Sequence, residues 1–78
     1  MKKLIKSIRS LKIGDDLFCQ TSIYNDRYTW KKIENISKGL DYMTGATMYK
    51  VEVESHCEYC REWWFYIGDV IDTRKHID

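Results

Sequence analysis

Two stretches in the C-terminal half have apolar residues at every second position, and this period of two constrains the fold more than any other feature. Every second residue is apolar in residues 48–55, and the same holds in residues 61–67. A period of two is typical of a β-strand with one face buried. The two strands are close enough in sequence to form a hairpin closed by residues 56–60. The side chains predicted to face the core are Tyr49, Val51, Val53, Trp63, Phe65 and Ile67.

Residues 17–24 show the same alternation and predict another strand. Leu17 and Cys19 belong to the set expected to face inward, and Phe18 belongs to the set expected to face outward. A last short extended piece, residues 70–73, is expected to cover an open edge of the sheet.

Residues 28–37 allow two interpretations. Their β-branched and aromatic residues favour a strand, with a bulge near Lys32. Apolar residues three apart and a following Gly39 fit a helix over residues 29–38 instead. We prefer the strand, and the helix is the alternative. The following residues 40–47 are expected to form a loop.

The first twelve residues differ from the rest in charge, since they contain five basic residues and no acidic one. Leu4, Ile8 and Leu11 recur at the spacing of one helix face. The pattern predicts a basic amphipathic helix within residues 1–12. Residues 13–78 would then form one small β domain, because a chain of 78 residues is too short for two cores.

Three motifs carry a resemblance to a known family. They are LKIGDDLFC at residues 11–19, ISKG at residues 36–39 and YKVEV at residues 49–53. Their order is similar to that of small SH3-like β-barrel proteins encoded by bacteriophages. The resemblance implies a mainly β fold, a barrel of four to five antiparallel strands. It also implies a phage-encoded modulator or inhibitor of a host factor, and it assigns no individual functional residue.

Charge, apolar runs and motifs count against several function classes. The net charge of +1 gives no overall field for nucleic acid or an anionic membrane. The sequence has no apolar run long enough to span a membrane and no secretory signal, so a cytoplasmic protein is expected. Phosphate-binding glycine loops, dinucleotide fingerprints and HExxH motifs are absent from the sequence, so we expect no enzyme.

Cys57 and Cys60 form a C-x-x-C pair at the predicted hairpin tip. Two thiolates at this spacing can bind one zinc ion, but a structural zinc site needs four ligands. The alternatives are free thiols and a reversible redox disulfide. Because the preferred interpretation is free thiols, no cofactor is expected, and zinc is the exception to test.

Binding to a protein partner is the function that the aromatic residues favour. Large aromatic side chains on the outer face of a rigid sheet are typical anchors of protein interfaces. The competing interpretation is that the N-terminal helix and the long loop cover them as a second small core. The residues predicted to contact a partner are Trp64, Tyr66, Phe18, Tyr24, Glu52 and Glu54.

Nucleic-acid binding is the alternative, because aromatic residues with nearby basic ones can stack on single-stranded bases. The acidic residues of the predicted hairpin count against it, since carboxylates repel phosphates. The basic residues that would serve this function are Lys2, Lys3, Lys6, Arg9, Lys31 and Lys32.

Overall fold

The computed structural model describes residues 2–21, 27–55 and 60–77 and shows a mainly β protein. Six antiparallel strands form one open sheet, which confirms the predicted fold class at the level of mainly β. The strand count exceeds the predicted four to five, because the first residues also form a strand. The strands are β1 (Lys2–Leu4), β2 (Asp16–Gln20), β3 (Tyr28–Leu40), β4 (Thr47–Val53), β5 (Glu62–Tyr66) and β6 (Val70–Arg74).

Strand β3 is long and pairs with two different strands. Its first half pairs with β2, and its second half pairs with β4. The register shifts between Ile33 and Asn35, which marks an irregularity one or two residues beyond the bulge predicted near Lys32. The strand interpretation of residues 28–37 is therefore confirmed, and the alternative helix over 29–38 is wrong.

The core lies on one face of the sheet. Tyr49, Val51 and Val53 are buried, as predicted, and Trp63 and Phe65 pack against the buried cluster. Ile67 is 54% exposed, so its predicted inward position is wrong. Strand β5 ends at Tyr66 and the chain turns just beyond Ile67 at Gly68, which removes Ile67 from the alternation. The buried apolar residues are Ile5, Leu11, Leu17, Cys19, Ile33, Tyr49, Val51, Val53, Cys60 and Ile71.

The predicted N-terminal helix is absent. Residues Lys2–Leu4 pair with β6, and the segment contains only a three-residue 3₁₀ helix, Ile8–Ser10. Within the described ranges, therefore, no helix reaches the length or apolarity that crossing a membrane requires. Leu4 and Ile8 of the predicted stripe are 47% and 41% exposed, whereas the unpredicted Ile5 is fully buried. An isolated helix of the predicted length is only marginally stable in water, so the hydrogen bonds to β6 determine the conformation of this segment.

Strand β6, which is predicted to cover an open edge, lies inside the sheet. The strand order is β1-β6-β2-β3-β4-β5, so β6 pairs with β1 on one side and β2 on the other. The two edges of the sheet are therefore β1 and β5.

Ile33 provides a test of the core. It is fully buried where β3 changes partner, and it faces Val53 across the sheet. We expect Ile33→Val to lower the free energy of unfolding by about 0.5–1.5 kcal/mol, and Ile33→Ala by about 2–5 kcal/mol, because the removed methyl groups leave a cavity. Urea denaturation followed by circular dichroism measures both changes.

Ile13→Ala is the matched control, since Ile13 is 58% exposed and a change there should stay within about 0.5 kcal/mol. Equal losses at both positions would contradict the assigned core.

Candidate partner-binding surfaces

The outer face of the sheet carries two separate groups of aromatic side chains. The first, the Trp64 patch, spans the end of β3, β4 and β5. The second, the Phe18 patch, spans β2, the start of β3 and the end of β6. The Trp64 patch consists of Gly39, Met48, Lys50, Trp64 and Tyr66, and the Phe18 patch consists of Phe18, Tyr28, Trp30 and Arg74.

Trp64 is the centre of the first patch. Its side chain is on the outer face of β5, as predicted, and is 49% exposed. The ring reaches across β4, because its Cζ3 atom lies 3.8 Å from the position that a Cβ would occupy at Gly39 on β3. The Nζ of Lys50 lies 5.8 Å from the ring centroid. The indole is thus held by contacts along one side and open to solvent on the other.

Tyr66 is the second aromatic residue of this patch and is 37% exposed. Its hydroxyl donates a hydrogen bond of 3.0 Å to Oδ2 of Asp41, at the start of the loop between β3 and β4. Hydrogen bonds from the Met43 backbone N–H and from Tyr66 lower the pKa of Asp41 below 3.8, and the same carboxylate raises the pKa of Tyr66 above 10.0. The tyrosine therefore has a fixed orientation on the surface.

The two acidic residues predicted beside these anchors lie in different places, Glu52 on β4 and Glu54 beyond its end. Glu52 is half-buried and forms an ion pair of 3.3 Å with Lys50 of the Trp64 patch. Glu54 is exposed beyond the end of β4, where its backbone N–H bonds the carbonyl of Lys32. Glu52 therefore borders the Trp64 patch, and Glu54 borders the first half of β3.

Phe18 is exposed, as predicted, but its ring contacts lie in the second patch. Its ring stacks on Tyr28 at a centroid distance of 5.5 Å and tilts against Trp30 at 5.0 Å. The guanidinium of Arg74 lies 4.3 Å from the Trp30 ring centroid. The result is a continuous row of three rings and one cation. Tyr24, the remaining predicted aromatic, lies outside the described residues.

Below this row, the carboxylate of Asp16 is buried and satisfied. Its Oδ2 accepts a hydrogen bond of 3.2 Å from Nε of Arg74, and its Oδ1 lies 2.7 Å from Nδ1 of His76. Asp16 is only 4% exposed, so these contacts supply the partners that a buried carboxylate needs. They tie the C-terminal segment to β2 and hold Arg74 over Trp30.

Most of the basic residues proposed for nucleic-acid binding lie at the surface, but Lys31 does not. Lys31 is 7% exposed, and its Nζ donates to the carbonyl of Thr21 and to Oγ of Ser55. Its charge is therefore directed into the protein rather than toward a phosphate. The residues Lys2, Lys6, Arg9 and Lys32 are exposed, and Lys3 is half-buried.

Lys31 and Ser55 place an amine beside a hydroxyl, and these are the two groups of a base and nucleophile pair. The contact of 3.2 Å uses a Lys31 side chain that also bonds a backbone carbonyl, which is the usual way to satisfy a buried ammonium. The pair lines an open cleft of about 720 Å³ together with His76. The contact with Ser55 is therefore one of the hydrogen bonds that satisfy a buried ammonium.

The cysteines do not form a metal site within the described ranges. Cys19 and Cys60 are both buried, and burial raises the pKa of the Cys19 thiol from 9.0 to about 11. Among residues 2–21, 27–55 and 60–77, no three His, Cys, Asp or Glu side chains are placed to hold a metal ion. Cys57 lies outside the described residues, so the preferred interpretation of free thiols and the alternative of zinc binding by the C-x-x-C pair both stay predictions.

Comparisons with known proteins give no relationship on which to assign these surfaces. No protein-family model, curated protein or solved structure matches the chain. The assignment therefore depends on the geometry of the two patches.

Sequence reasoning missed the contacts that join distant parts of the chain. Arg74 and His76 meet Asp16 across 58 and 60 residues, and Tyr66 meets Asp41 across 25 residues. No local pattern indicates such pairs. The strand alternation did indicate which aromatic residues are exposed.

Tyr66→Phe tests the fixed position of the tyrosine. Removal of the hydroxyl should raise the pKa of Asp41 toward 3.8, although the Met43 N–H should keep it below that value. Since Asp41 has the lower pKa in the folded state, its contribution to stability is present above pH 3.8 and is lost at lower pH. Carboxyl chemical shifts in an NMR titration measure the change.

Tyr42→Phe serves as the control. This substitution also removes a hydroxyl from the loop, and Tyr42 is 94% exposed. An Asp41 titration that is identical in Tyr66→Phe and the unmodified protein would show that the hydrogen bond is not formed in solution.

Proposed function

We propose that this chain is a non-catalytic binding module that holds a protein partner on the Trp64 patch. The observation that carries the proposal is the position of the Trp64 ring, which is half exposed yet supported from below by Gly39. An aromatic side chain held in this way loses little conformational entropy when a partner covers it. Tryptophan and tyrosine are also the residues most enriched among the strongest contacts of interfaces.

The neighbours of Trp64 fit a protein partner. Met48 and Tyr66 add apolar area, whereas Lys50 and Glu52 form a charged border. Interfaces of this kind combine an apolar centre with a polar rim. The patch is the face of a sheet rather than an enclosed pocket, which favours a protein surface over a small substrate.

The resemblance to small phage proteins adds a narrower hypothesis. Under it, the chain is an SH3-like protein in the host cytoplasm, and the partner is a host factor whose activity it modulates or inhibits. A long β3 that pairs first with β2 and then with β4 is compatible with that relationship.

Trp64→Ala tests the proposed function directly. Loss of the ring should weaken partner binding about 30-fold or more, which corresponds to about 2 kcal/mol, if Trp64 is the main anchor. The unmodified and variant proteins are immobilised, and nuclease-treated lysate of the natural host is passed over each. Quantitative mass spectrometry then compares the captured proteins.

Phe18→Ala is the matched control, since it removes a ring of similar exposure from the other patch. The proposal requires that a protein captured by the unmodified chain also binds Phe18→Ala and is lost from Trp64→Ala. A folded Trp64→Ala protein that captures the same proteins at equal strength removes the assignment.

Single-stranded nucleic acid is the second candidate, and the Phe18 patch favours it. A row of three rings provides stacking surfaces, and the Arg74 guanidinium lies over one of them while it is paired with the carboxylate of Asp16. Asp16 adds little repulsion, because Arg74 and His76 already bind its carboxylate. Exposed Lys32 lies next to the row on β3.

Tyr28→Ala tests this candidate. Tyr28 is 56% exposed at one end of the row, and loss of its stacking should weaken binding of a labelled oligothymidylate by about 1–3 kcal/mol. Fluorescence anisotropy at several salt concentrations measures affinity and its salt dependence. Tyr42→Ala removes a ring that is still more exposed, at 94%, and lies outside the patch, so this variant should bind as the unmodified protein does. A flat titration at low salt excludes the candidate.

A further inference from the structure

Strand β5 forms one edge of the sheet. Within the described residues it pairs with β4 on one side and has no strand on the other. Its sequence, Glu62–Tyr66, contains four aromatic residues and none of the lysines, prolines or bulges that commonly protect an edge. The opposite edge, β1, carries Lys2 and Lys3. The unprotected edge is therefore the one that borders the Trp64 patch.

The hydrogen bonds of β4 determine which backbone groups of β5 face outward. The Val53 N–H donates to the Arg61 carbonyl at 2.7 Å, which makes this a hydrogen-bonded pair. Since such pairs alternate along antiparallel strands, Trp63 and Phe65 also direct their backbone groups to β4. Glu62, Trp64 and Tyr66 therefore direct theirs to the open side.

Asp69 closes one end of this open side. Its Oδ2 accepts a hydrogen bond of 2.8 Å from the Tyr66 N–H, and its own N–H donates to the Tyr66 carbonyl at 3.0 Å. Tyr66 is thus satisfied within the chain. Among the described residues, no hydrogen bond to the outward N–H and C=O of Glu62 or Trp64 is present, so both residues have backbone groups available for pairing.

We propose that β5 pairs with β5 of a second copy of this chain, antiparallel and around a two-fold axis at Trp63. In this register, Glu62 of each copy lies opposite Trp64 of the other. Each such pair exchanges two N–H···O bonds. The outward backbone groups of Glu62 and Trp64 are thereby hydrogen-bonded between the two copies. The interface ends at Tyr66 of each copy, where Asp69 already bonds the backbone.

The charges on the outer face favour a second copy as the partner of β5. In one copy, Glu62 lies directly opposite Glu52 on β4, an unfavourable pairing in which, among the described residues, only Glu52 is paired with Lys50 of the same copy. In the pair of copies, the other neighbour of Glu62 is Trp64 of the second copy, with Lys50 of that copy in the next strand. Glu62 of each copy thereby gains Trp64 of the other copy as a neighbour, with Lys50 one strand further away. Because identical copies supply both halves, the arrangement closes as a dimer.

The pairing depends on backbone groups and is independent of the proposed function. Residues directly opposite in paired strands share a face of the sheet. Both Trp64 patches therefore lie on one face of the joined sheet, and the dimer would offer two docking surfaces side by side. Loss of the dimer leaves each Trp64 ring in place.

Glu62→Pro tests the proposal. Proline removes the Glu62 N–H, which faces the open side, so the pairing with β4 is retained while the pairing between copies is lost. Sedimentation velocity up to about 0.5 mM protein reaches the weak association that so small an interface gives. We expect the unmodified chain to shift toward twice the protomer mass, and Glu62→Pro to remain at one protomer.

Leu4→Pro is the matched control, because the Leu4 N–H faces the open side of β1. It should dimerise as the unmodified chain does. An unmodified chain that stays at one protomer throughout, or a Glu62→Pro chain that dimerises normally, overturns the proposal.

Amide hydrogen exchange of the unmodified chain gives a second measurement that needs no variant. Exchange at Glu62 and Trp64 should slow as the protein concentration rises, whereas exchange at Leu4 should not. Concentration-independent exchange at Glu62 and Trp64 overturns the proposal even if proline prevents folding. Since the Trp64→Ala capture experiment measures binding to other proteins, failure of one proposal is distinguishable from failure of the other.

Discussion

The change of partner along β3 is the constraint on which the rest of the structure depends. At the point of change, the Ile33 N–H and carbonyl bond Asp15 and Gly14, while its side chain is buried opposite Val53. Ile33 therefore joins the residues just before β2 to the end of β4 in a single core. A small domain without a disulfide between described residues has few other means of joining two halves of a sheet.

The same strand places both candidate surfaces. Its alternation hides Lys31 and Ile33 while it presents Trp30 and Lys32 on the outer face. The register shift then separates the half that supports the Phe18 patch from the half that supports the Trp64 patch. Two surfaces of different chemistry thus arise on one face: a row of stacked rings with a guanidinium, and a tryptophan with a charged border.

Local sequence patterns predicted the features that depend on local geometry. The period of two assigned β4 and β5 and identified Trp64 and Tyr66 as exposed, because successive side chains of a strand point to opposite faces. The same reasoning failed at residues 2–11. Their apolar spacing fits a helix, but the nearby β6 supplies backbone partners that a short helix cannot match.

The sequence by itself determined that this chain is mainly β, which residues of its clearest strands are buried, and which aromatic side chains are left at the surface. Only the tertiary structure decided that Phe18 joins Trp30 and Arg74 rather than Trp64, and that β5 rather than β6 lies at an edge. The physical reason is the distance along the chain between the residues that determine each feature. Alternation is set by the backbone of each strand, whereas strand order and cross-sheet contacts depend on which distant segments bury the most apolar surface together.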